Sequence, residues 1–112
     1  MSNTVKDIPG FKVNDILVCS YGYNCTLVSF YRVLRVTKAS VVLQEIGYKF
    51  AEHDGYGQVG KVIPNVEQVM LDPPITRRFK PTYDNTGFYV MINKYAYAYL
   101  WDGKPVYYNS MD

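Results

Sequence analysis

The chain has 112 residues, of which 48% are apolar and 20% charged, and its formal net charge is +2. That composition excludes an intrinsically disordered chain and fits one domain that buries about two-thirds of its unfolded surface without disulfides or a metal. The charge is too weak to announce a nucleic-acid binder and has the wrong sign for an acidic mimic of DNA. No apolar run approaches the ~18–20 residues of a membrane-spanning helix, so no membrane partner is expected.

Residues 1–14 read as an arm, broken at Pro9-Gly10, that becomes ordered near Phe11; residues 15–112 read as a single β domain. The start of the chain lacks the basic and apolar stretches of a signal peptide, and Asn109-Ser110-Met111-Asp112 carries no lipidation signal. A cytoplasmic protein is the expectation, with Cys19 and Cys25 as free thiols.

Residues 15–21 form a short run with apolar side chains at both parities, the pattern of a strand buried on both faces. Gly22-Tyr23-Asn24 marks a turn or loop. From Leu27 to Thr37 the alternation predicts the best strand of the chain, with Val28, Phe30, Leu34 and Val36 on one face and Tyr31 and Val33 on the other. Residues 37–40 are a connector of hairpin length, and Val41 to Ile46 is the partner strand. Residues 47–57, with Gly47, His53, Gly55 and Gly57, read as a loop. A short strand from Gln58 to Ile63 closes at Pro64-Asn65, and Val66 to Leu71 fits either strand or one helical turn before Asp72-Pro73-Pro74 stops it.

Ile75, Arg77 and Phe79 alternate with Thr76, Arg78 and Lys80, so Arg77 and Arg78 face opposite ways. Gly87 to Ile92 is a strand with Phe88, Val90 and Ile92 inward. In the last segment Tyr95, Tyr97, Tyr99 and Trp101 alternate with small residues, and extended or loop structure is preferred over helix; Asp102-Gly103 signals a turn and Pro105 suits an edge. The sum is an all-β fold: a small antiparallel, partly open SH3-like barrel or bent sheet with little helix.

No catalytic set emerges. His53, the single histidine, stands in glycine-rich sequence away from Cys19, and the five residues between Cys19 and Cys25 do not match structural zinc spacing. No cofactor, metal or enzymatic activity is therefore expected. The oddity is aromatic: twelve tyrosines, five phenylalanines and one tryptophan. So many phenols cannot all be deeply buried in so small a core, and some must border the surface. Tyrosine and tryptophan beside arginine is the composition of a protein-recognition hot spot, and the same mixture stacks unpaired bases. The binding residues this reading selects are Tyr21, Tyr23, Arg77, Arg78, Tyr97, Tyr99 and Trp101. A homodimer paired near Pro105-Val106-Tyr107 is a further option.

Two stretches carry a resemblance. Ser20-Tyr21-Gly22-Tyr23 leads into Thr26, Val28, Phe30, Tyr31 and Val33, and the closing segment holds Trp101-Asp102-Gly103, with Arg77-Arg78 between. Together they resemble a family of small bacteriophage and prophage proteins of uncharacterised function, over roughly residues 15–108. The chain departs from that pattern at Tyr21, where tryptophan is usual, and at Cys25 and Leu27, where polar residues are usual. The resemblance implies a viral protein with an accessory role in the infected bacterium. The expectation is a protein that binds a host or phage macromolecule, for instance one that blocks a defence system such as a CRISPR effector. A nucleic-acid-binding barrel is the alternative.

Overall fold

The computed structural model describes residues 11–21, 27–53, 59–84 and 87–109. Eight antiparallel strands follow in chain order: β1 (Ile16–Tyr21), β2 (Leu27–Val36), β3 (Ser40–His53), β4 (Val59–Val69), β5 (Ile75–Pro81), β6 (Phe88–Asn93), β7 (Ala96–Leu100) and β8 (Val106–Asn109). The sheet order is β2-β1-β7-β6-β5-β3-β4-β8, and a further β2–β3 pairing closes six strands into a barrel with β4 and β8 outside it. The expected all-β fold is present, as a closed barrel rather than a partly open one. Among the described residues there is no helix, and so none long and apolar enough to cross a membrane.

The β2–β3 hairpin forms where β-branched runs flank residues 37–40. The Thr37 amide donates to the Ser40 carbonyl at 2.8 Å, and the Ser40 amide donates back to Thr37 Oγ1 at 3.1 Å. The first half of β3 pairs with β2 on one edge and β5 on the other. Its second half pairs with β4 instead, and β4 in turn pairs with β8. The loop expected over residues 47–57 is thus strand as far as His53, and residues 54–57 lie outside the described residues.

This division of β3 creates two cores. Inside the barrel lie Leu17, Cys19, Tyr31, Val33, Val41, Leu43, Val90, Ala96 and Ala98, with Phe11 packed edge-on to Phe79 at 5.8 Å between centroids. The second core sits on the outer face of β1 and β2, where Val28 and Phe30 meet Ile46 and Val62 beneath the β3–β4–β8 extension. Both faces of β2 are therefore covered, and Val28 to Tyr31 are all buried. β8 ends the sheet, and its outer edge pairs with no described strand.

Candidate functional site

The exposed tyrosines gather on one outer wall. β7 alternates small and large: Ala96 and Ala98 fill the narrow barrel interior, so Tyr97 and Tyr99 stand outside, 43% and 47% exposed. Antiparallel registry then places other large side chains beside them. Tyr99 lies opposite Tyr89 of β6, Tyr89 lies opposite Lys80 of β5, and Tyr97 lies opposite Met91. The Tyr89 ring sits 5.6 Å from Tyr97 and 5.9 Å from Tyr99, centroid to centroid, within the range of favourable aromatic pairs. The fully exposed Tyr83, on the turn after β5, borders the same groove of about 420 Å³ together with Pro81 and Thr82. That turn is held by the Thr82 amide donating to the Gly87 carbonyl at 2.9 Å and the Thr82 hydroxyl donating to Asp84 at 2.8 Å. Arg78 and Lys80 share the outer parity of β5 and are exposed, giving the phenols a cationic fringe. Along the adjoining β6–β7 turn, the Lys94 ammonium lies 5.3 Å from the Tyr95 ring centroid.

Of the residues selected from sequence, Tyr97 and Tyr99 stand together here, and Arg78 lies on the same outer face, on β5. Arg77 points the other way, its Nε donating to the Ile92 carbonyl at 3.1 Å and its Nη1 to the Thr76 carbonyl at 3.0 Å. Trp101 continues the parity of Tyr97 and Tyr99 but lies beyond the end of β7. Its amide donates to the Ile16 carbonyl at 2.8 Å, its indole N–H donates to the Lys104 carbonyl at 2.7 Å, and its ring meets Phe30 edge-on at 6.1 Å. Trp101 is thereby a packing residue of the second core. Tyr21 is on the barrel rim, away from this wall, and Tyr23 lies outside the described residues. Tyr83, Tyr89 and Lys80 are members of the face that the selection omitted. Only cross-strand registry brings them in, and registry is not written in any local spacing.

The buried thiol has no part in this face. Cys19 is inside the barrel, and burial, reinforced by the Glu45 carboxylate, pushes its pKa up to about 11, which makes it inert at neutral pH. Among the described residues no group of three or more His, Cys, Asp or Glu side chains is placed to hold a metal ion. Comparison with known proteins finds no protein-family model, no curated protein and no solved structure that matches this chain.

Proposed function

We propose that the protein is a non-enzymatic binding protein that docks a protein partner on the outer face of β5, β6 and β7. The supporting observation is the contiguous set of the partly buried Tyr89, whose ring contacts both Tyr97 and Tyr99, and those two half-exposed rings, with Lys80 opposite Tyr89 and Arg78 on the same outer face of β5. Tyrosine with arginine is the chemistry that dominates protein-recognition energetics, because a phenol offers large apolar area and a polar tip with little side-chain entropy to lose. The resemblance to small phage proteins makes the partner a host or phage protein, and a component of a bacterial defence system such as a CRISPR effector is the first case to test. Binding measured with purified candidates should fall by a factor of about 10–100 in a Tyr97→Ala/Tyr99→Ala variant, the loss of one to two hot-spot side chains. Unchanged binding by a folded double variant would refute the assignment.

The nucleic-acid reading draws on the same cross-strand neighbours, Lys80 beside Tyr89. Base stacking on these phenols with a phosphate near Arg78 or Lys80 would give affinity for single strands that falls steeply with salt. A gel shift on single-stranded DNA and RNA at low salt decides it, and no retarded band at micromolar protein rejects it.

A further inference from the structure

A second site stands where β3 leaves the barrel, and it shares no residue with the tyrosine face. Along β1, β2 and β3 the inward positions are apolar at depth, with Leu17, Val33 and Leu43, and become polar at the rim, with Tyr21, Ser29 and Glu45. These three rim residues are linked through Ser29, whose hydroxyl bonds Tyr21 Oη at 3.2 Å and also reaches the Glu45 carboxylate. Just outside the rim the hydroxyls of Tyr48 and Tyr108 meet at 3.1 Å, their ring centroids 5.2 Å apart. Tyr21, Ser29, Glu45, Tyr48 and Tyr108 all line one cavity of about 530 Å³. Gly47 keeps the cavity wall low, because a Cβ there would collide with the Gln68 side chain that lies over it.

No ion pair neutralises the carboxylate in this cavity among the described residues. Partial burial and the neighbouring Asp72 carboxylate raise the Glu45 pKa, and among the described residues no lysine or arginine forms an ion pair with it. Arg77 borders the adjoining cavity with Glu45 and Asp72, but its hydrogen bonds go to the carbonyls of Ile92 and Thr76 and it makes no ion pair with Glu45. A carboxylate set among phenol rings and phenol oxygens repels anions, and a neutral ligand leaves its charge unmatched. An organic cation suits this lining best, since the carboxylate, the phenol oxygens and aromatic rings all accept positive charge.

We propose that this cavity binds the charged end of an alkylammonium ligand, with Glu45 as the counter-charge and Tyr21, Tyr48 and Tyr108 as the aromatic lining. The test titrates the intact protein with choline and, separately, with its neutral carbon isostere 3,3-dimethylbutanol, following amide shifts by two-dimensional NMR. Choline should bind about tenfold or more tightly than the isostere, with shifts centred on the rim of β1, β2 and β3. Glu45→Gln and Tyr21→Leu should each weaken choline about tenfold while circular dichroism stays native. Equal binding of choline and the isostere, no shift with choline at tens of millimolar, or a folded Glu45→Gln variant of unchanged affinity would each overturn the proposal. Should either variant misfold, the comparison of charged and neutral probes on the native sequence decides alone.

Discussion

Trp101 separates packing from recognition more sharply than any other residue, because sequence composition marks it for binding and the fold places it in the second core. Trp101→Ala removes a mostly buried indole that meets Phe30 edge-on and anchors the turn after β7 through its bond to the Lys104 carbonyl. A tryptophan presents ~150–250 Å² for burial, and with most of it covered the loss at ~25 cal/mol per Å² comes to about 3 kcal/mol. The Lys104 residue is exposed, so its freed carbonyl rehydrates and adds no more than about 1 kcal/mol. For a domain of this size that is a fall in Tm of roughly 12–16 °C. Tyr99→Ala, on the outer wall and half-exposed, should cost only about 1 kcal/mol and a few degrees. The assay is thermal unfolding followed by circular dichroism at 215–220 nm, in parallel with urea titration (the wavelength window is about that of β structure). A Trp101→Ala variant as stable as Tyr99→Ala would refute the placement of the indole in the core.

Other outcomes follow from the same arrangement. Leu43→Ala, at a position with no solvent exposure inside the barrel, should destabilise the fold by about 2–5 kcal/mol in urea titration. Cys19 should resist a thiol reagent in the native state: a pKa moved from 9.0 to about 11 lowers its thiolate fraction about a hundredfold near pH 7, and burial blocks access as well. In a Cys25→Ser background, labelling should therefore appear only on denaturation, and fast native labelling would contradict the burial. Glu45 has a raised folded-state pKa, so its ionised form penalises the fold above that value, and the penalty disappears as pH falls below the ordinary glutamate value of 4.5. Glu45→Gln should accordingly be more stable than the native sequence at neutral pH, by less than about 1 kcal/mol because the group is partly solvated, and the advantage should vanish near pH 4. An advantage that grows toward acid pH would show that the sign is wrong.

Local chemistry made much of this fold legible. The β2–β3 hairpin follows from β-branched runs around a short polar connector, and Ala96 and Ala98 between large rings already indicate which face of β7 is narrow and interior. The opposite orientations of Arg77 and Arg78 also follow from strand parity. Two segments defeated local reading for physical reasons. Gly47 looks like a loop residue, yet in β3 it serves to admit the Gln68 side chain over the backbone. Pro64 looks like a strand terminator, yet β4 continues through it, because β8 accompanies β4 only from Val59 to Val62, and beyond that β4 has β3 on one side alone. The site shows the same limit. Tyr97 and Tyr99 are marked by alternation along one strand, whereas Tyr89, Lys80 and Tyr83 join them through pairing between strands. Trp101 shares their alternation but is carried under another layer by a strand end that alternation does not foretell.

The most direct examination of the tyrosine face is a capture experiment with three baits, the native chain, Tyr97→Ala/Tyr99→Ala and an Arg35→Glu control on a different strand. Each is offered to lysate of phage-infected bacteria, and the retained proteins are identified by mass spectrometry. The proposed docking role predicts a specific protein held by the native chain and by the control but lost from the double tyrosine variant. Retention of the same protein by all three baits, or no specific protein on the native chain, would contradict it.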